Sequence, residues 1–181
     1  DPVLSRGLGD VYKRQCYSIY ELLKKERKGM LDVNNFDENK IDWKPLPGPD
    51  GNPADHIGCS ILNVDDEAKI VDVLFRFSAN EKIVNHRHTA VFNTFVVKGE
   101  HHIYDLQGNL KEVRKPGTFK VGKPDIEPHT EGGGDEDVFI LFSLRPYTAD
   151  GPIYEILDEH GEIASVMTFE GLKELYEANA A

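Results

Sequence analysis

Between residues 56 and 144 the chain offers one short strand-forming segment after another, and no room for a crossover helix between them. Residues 56–62, 68–78, 90–98, 101–106, 110–114, 118–121 and 138–144 are rich in Val, Ile, Phe and Thr. They are punctuated by turn chemistry at Asp65-Asp66, Leu106-Gln107-Gly108-Asn109, Pro116-Gly117 and Gly132 to Asp135. A further hairpin is predicted from 153–157 and 163–168 across Asp158-Glu159-His160-Gly161. Parallel strands would need crossovers of a dozen or more residues, so βαβ units are excluded. Helical periodicity is confined to the ends. Residues 16–29 place Ile19, Leu22 and Leu23 on one face and stop at Gly29, and residues 169–178 begin after Thr168, a good N-cap. The proline-rich run 45–53 predicts an extended loop. The expectation is an all-β chain, closed into an antiparallel barrel of the jelly-roll kind, with a short helix at each end.

At 181 residues, a single domain over 16–181 is predicted, with its barrel core over 56–145 and a C-terminal hairpin and helix over 150–180. Residues 1–15 stand apart. The run Asp10-Val11-Tyr12-Lys13-Arg14-Gln15 resembles the translated end of a sequencing transposon, so the stretch reads as a library artefact or a disordered arm.

Lys and Arg number 21 against 32 Asp and Glu, a formal charge of −11. From Glu131 onward only Arg145 and Lys173 offset 12 acids. Such a field repels polyanions and argues against nucleic acid as a partner. No long apolar run suggests a membrane span, and two cysteines, Cys16 and Cys59, build no disulfide framework, so a reducing, cytoplasmic setting is expected.

Six of the seven histidines fall between His56 and His129. In an extended segment His86 and His88 point to the same side, roughly 6.6 Å apart along the chain, while Arg87 points away toward a carboxylate partner. Two imidazoles so placed can converge on one metal ion. Dinucleotide, Walker A, nucleophile-elbow and H-E-x-x-H motifs are missing, so hydride transfer, phosphoryl transfer and serine hydrolysis have no support.

The order His86, His88, Asn93, Gly99, then Gly117, Pro124, His129 resembles the two motifs of the cupins over roughly residues 70–144. Asn93 stands where that family usually has a glutamate ligand. The resemblance implies a metal centre of His86, His88 and His129 without carboxylate, whose uncompensated dication attracts an anionic, chelating oxygen ligand. The tail from 142 is similar to the branch containing acetylacetone-cleaving and dihydroxyacetophenone dioxygenases. That branch implies Fe(II), with Zn, Mn or Ni as alternatives, O2-dependent carbon–carbon cleavage of a small dicarbonyl or hydroxyketone, and a homo-oligomer. Asn93 and His102 are the candidate catalytic groups.

His101 and His102 face opposite ways if their strand continues, so one of them can enter the cavity. His56 and His160 read as surface residues, and Trp43 as packing for the proline-rich loop or a subunit contact. Two rival functions use the same histidines: a zinc- or small-molecule-sensing cupin domain without turnover, and a cupin isomerase or decarboxylase.

Overall fold

In the computed structural model, residues 35–47 and 53–180 are described. The N-terminal stretch and the expected helix over 16–29 lie outside them. Twelve strands occur in the described residues: β1 Lys44–Pro47, β2 Pro53–Asp65, β3 Ile70–Phe77, β4 His86–His88, β5 Val91–Lys98, β6 His101–Tyr104, β7 Leu110–Arg114, β8 Phe119–Gly122, β9 Asp125–Gly133, β10 Val138–Arg145, β11 Pro152–Leu157 and β12 Ile163–Thr168. One α-helix follows, α1 Phe169–Ala180. Its first turn is capped as expected, Thr168 Oγ1 accepting from Gly171 N at 3.1 Å. All these elements lie in one unit, Asp37–Ala181.

The strands form two six-stranded antiparallel sheets, in the orders β1-β2-β3-β10-β5-β8 and β12-β11-β4-β9-β6-β7. Neither closes, which corrects the expectation of a barrel. β7 pairs only with β6 and β8 only with β5, although the two strands are consecutive. The connecting turn, with Thr118 N donating to Lys115 O and Gly117 N to Val96 O, delivers them to different sheets. Where a barrel would have a backbone ladder, a side-chain ion pair, Lys120 Nζ to Glu112 Oε1 at 2.7 Å, spans the gap.

The core lies between the inner faces. β3 and β10 run side by side in unbroken register from Val71↔Leu144 to Phe77↔Val138. Val71, Val73, Phe75 and Phe77 alternate inward and meet Val138, Ile140, Phe142 and Leu144, with Ile153 and Tyr154 of β11 and Leu172 of α1 completing the cluster. Each such large side chain, once buried, contributes roughly 1.5–3 kcal/mol. On the outer face, Trp43 packs against Phe139 with centroids 5.7 Å apart and donates from Nε1 to Glu38 O. It therefore covers the sheet beside β1, itself formed from part of the segment expected to be a loop.

β9 has no counterpart in the sequence reading, because Gly132 and Gly133 look like the start of a turn. Here they are strand. A Cβ at Gly132 would overlap the carbonyl oxygen of Glu81, whose segment lies across it through the Lys82↔Gly132 bridge and the Ile83 N→Glu131 O bond. Glycine is used for close backbone approach, not for turning. Gly132→Ala is expected to cost about 1–3 kcal/mol, read as a lower urea midpoint with an unchanged far-ultraviolet dichroism spectrum.

Candidate metal centre

β4 contains only His86, Arg87 and His88, and sits between β11 and β9. Both neighbours hold it in register: His88 opposite Tyr154, Arg87 opposite Glu155, and His86 opposite His129. Arg87 turns away from the core and pairs with Glu155. The two histidines turn inward, are almost wholly buried, and bring their Nε2 atoms within 3.0 Å of each other. Bonds of about 2.1 Å to one ion would set adjacent ligand nitrogens ~3.0 Å apart in octahedral and ~3.4 Å apart in tetrahedral geometry, so the pair is at coordination spacing.

Glu131 completes the set. It lies two residues after His129 on β9, and the candidate ligand atoms of His86, His88, His129 and Glu131 all fall within 4.8 Å of one another. Its carboxylate oxygens are 3.9 Å from His86 Nε2, 4.0 Å from His88 Nε2 and 3.7 Å from His129 Nε2. The expectation of a carboxylate-free centre is therefore corrected: three imidazoles meet one buried carboxylate. The same alternation that pairs His86 with His88 pairs His129 with Glu131.

Two of the rings have a fixed tautomer. His86 Nδ1 lies 2.9 Å from Val84 O and His129 Nδ1 lies 3.1 Å from Glu127 O. A backbone carbonyl only accepts, so each Nδ1 carries the proton and each Nε2 presents a lone pair to the cluster. His88 Nδ1 is buried without a hydrogen-bond partner. Two lone pairs aimed at one point beside a buried carboxylate fit a divalent cation.

Electrostatics agree with that assignment. Burial lowers the His86 pKa and drives that of His88 well below the ordinary imidazole value, Glu131 opposing only in part, so both rings stay neutral. Burial alone would raise the Glu131 pKa, but the surrounding imidazoles, His101 first, outweigh it and keep the carboxyl ionised well below its ordinary range. Tyr154, whose ring meets His88 at 4.8 Å, keeps its phenolic proton, burial and then Glu131 pushing its pKa far up. Cys59 is held as a thiol, burial raising its pKa to about 11, and offers no thiolate ligand or nucleophile.

Asn93 lies on β5 opposite Ser143 and Val121. Its neighbours Phe92 and Thr94 are the inward residues: the Phe92 ring sits 4.3 Å from that of His88, and Thr94 is buried. Alternation sends Asn93 to the other face, away from the cluster. Gly122 leaves the space that the Phe92 ring occupies, since a Cβ there would overlap it. In the His101–His102 pair the inward ring is His101, wholly buried and 3.4 Å from Glu131 Oε1. His102 faces outward, where Tyr104 Oη and Glu100 Oε2 are its partners at 3.1 and 3.3 Å. His101 is thus the ring beside Glu131, whereas His102, the candidate expected from the sequence, lies on the opposite face, away from the cluster. His160 is exposed in its hairpin turn.

Two cavities flank the cluster. One, about 370 Å³, is lined chiefly by apolar residues such as Phe75, Phe77, Ile156 and Leu172, and reaches His86 and Glu131. The other, about 410 Å³, reaches His88, His129 and Glu131 and is lined by Phe92, Ile103 and the charged side chains of β7 and β8.

No family model matches the sequence, and no curated protein does. Solved structures do match. An RmlC-like cupin protein from Ralstonia eutropha JMP134 superposes with a TM-score of 0.60 at 16% identity, over 79% of this chain and 83% of that one. The fold is cupin-like. An acetylacetone dioxygenase from Acinetobacter johnsonii gives a TM-score of 0.56 at 14% identity, over 80% of this chain and 89% of that one. A protein of unknown function with a cupin-like fold, also from Ralstonia eutropha JMP134, gives 0.54 at 12% identity, over 80% and 86%. This cupin-like chain thus brings its two histidine segments together with a carboxylate that neither motif contains.

His88→Ala and His129→Ala are expected to empty the site. Glu131→Gln should weaken metal binding by about tenfold or more, whereas Asn93→Ala should leave it intact, all read by metal analysis after dialysis. Metal-free protein should lose thermal stability as pH falls below about 6.5, where His86 and His88 charge in the unfolded chain but resist charging in the fold. Further loss is expected below about 4.5, where Glu131 follows the same sign. A His88→Gln variant should flatten the first decline in a Tm-against-pH series.

Proposed function

We propose that this protein is a metal-dependent cupin dioxygenase, using Fe(II) to cleave a carbon–carbon bond in a small β-diketone or aromatic hydroxyketone. The observation that carries the reading is the His86–His88–His129–Glu131 cluster, in which His86 and His129 already present Nε2 lone pairs. The fold shared with the Acinetobacter johnsonii acetylacetone dioxygenase supports it. A bound Fe(II) would supply Lewis-acid polarisation of a chelating dicarbonyl and the electrons for reaction with O2.

The chain's own residues divide the remaining work. The three Nε2 atoms would hold the ion, and Glu131 would offset one of its two charges. A monoanionic enolate would then bring the filled site to neutrality, which suits a centre walled by Phe92, Phe142 and Tyr154. Those rings wall the His88 side of the site, and neutral Tyr154 adds no charge there. His101 lies against the carboxylate, its Nε2 3.4 Å from Glu131 Oε1. Among the described residues no helix is long and apolar enough to cross a membrane. A cytoplasmic homo-oligomer completes the proposal, on the resemblance stated above.

Protein loaded anaerobically with Fe(II) should consume one O2 per molecule of acetylacetone or dihydroxyacetophenone, measured with an oxygen electrode. Zinc-loaded protein should consume none. Tight zinc retention with no oxygen uptake across such a panel would replace the enzyme with a sensing domain.

A further inference from the structure

The cavity facing His88 and His129 has a wall of Arg114, Glu112 and Lys120 that the metal centre does not use. β6 and β7 place His101 opposite Arg114 and Ile103 opposite Glu112, so Arg114 and Glu112 share the inner face with the ring that touches Glu131. Across the open edge, Lys120 stands opposite buried Thr94 and therefore also turns inward. Arg114 Nη2 and Lys120 Nζ both take Glu112, at 2.8 and 2.7 Å. One carboxylate serves two cations. Its pKa, held down to about 2 by Arg114 and then Lys120, shows that it is fully ionised and already committed. Glu131 is occupied by the histidines. Arg114 Nε remains buried without a hydrogen-bond partner, on a side chain only 15% exposed. A buried guanidinium N–H left unmade is costly, and a planar anion is the group that satisfies it.

We propose that this cavity selects a carboxylate-bearing substrate, an oxo acid whose carboxylate is received by Arg114 with Lys120 while its carbonyl end faces the metal cluster. This rests on the metal reading of the same site and narrows its substrate class from neutral diketones to anionic ones. A volume of about 410 Å³ accommodates a short or aryl-substituted acid. The ion pair bridging the two sheet edges doubles as the acid-binding wall.

Acetoacetate and methyl acetoacetate share a skeleton and differ by one charge. Calorimetric titration of the zinc-loaded protein with each should show the acid binding about tenfold more tightly or better. Arg114→Gln should abolish that preference while changing the ester's affinity less than about twofold, and Lys120→Gln should reduce it in part. Lys115→Gln, the same charge change on the neighbouring exposed turn, should do neither. Equal binding of acid and ester by the unmodified protein would overturn the proposal without any variant, as would Arg114→Gln weakening both ligands alike. The readout needs no turnover. Acid preference without oxygen uptake would sink only the dioxygenase reading, and oxygen uptake on neutral diketones without acid preference would sink only this one.

Discussion

The pairing of His86 with His129 across β4 and β9 is the contact on which the site depends. It sets two rings side by side through backbone pairing, with their centroids 4.7 Å apart and their planes tilted by 59°. β4 is only three residues long, so it would have little stability alone. It is held because β11 and β9 pair with it from both sides. Alternation along β4 then supplies His88, and alternation along β9 supplies Glu131. Two paired strands thus supply all four candidate ligands, and a one-residue slip of β4 would turn His86 and His88 outward.

Burying a carboxylate and three imidazoles at one point is unfavourable unless each finds compensation. Val84 O and Glu127 O satisfy two ring nitrogens, and His101 stands beside Glu131. The surrounding Phe77, Phe92 and Phe142 then act on electrostatics as much as on packing. By excluding solvent they hold His86 and His88 neutral and available as ligands. Gly122 contributes at a distance, because its missing side chain is what lets Phe92 lie against His88.

Much of this was legible in the sequence, for reasons specific to particular residues. The H-x-H spacing of His86 and His88 encodes a shared face as soon as the segment is extended, and His129 follows from the order of glycines and prolines around it. Glu131 was hidden because the glycines after it read as a turn. Only the structure shows the Glu81 carbonyl lying against Gly132, which keeps the chain extended through position 133. Asn93 was assigned by its place in a motif, but position along a strand is not direction. Phe92 turns inward, and its neighbour cannot. Closure of the sheets was equally beyond the sequence, since strand count does not reveal whether β7 and β8 share a ladder or only a salt bridge. The turn at Pro116-Gly117 was readable as a turn, but not as the place where the chain changes sheets.

His88 differs from the other two imidazoles in a way that bears on how the centre fills. Because His86 Nδ1 is tied to a carbonyl, its Nε2 is an acceptor, so the 3.0 Å contact with His88 requires the proton on His88 Nε2 when no cation lies between them. A cation at that point needs a lone pair there, and a neutral His88 must then carry its proton on Nδ1, which has no partner in its buried position. The metal-binding tautomer of His88 therefore leaves one N–H unsatisfied, a cost of about 1–3 kcal/mol that the bound ion must offset. The two anchored rings are ready for the ion, whereas the third is held in a hydrogen bond that the ion must replace. Selectivity at such a site rests on how strongly a cation binds imidazole nitrogen, which favours the later first-row dications over magnesium or calcium.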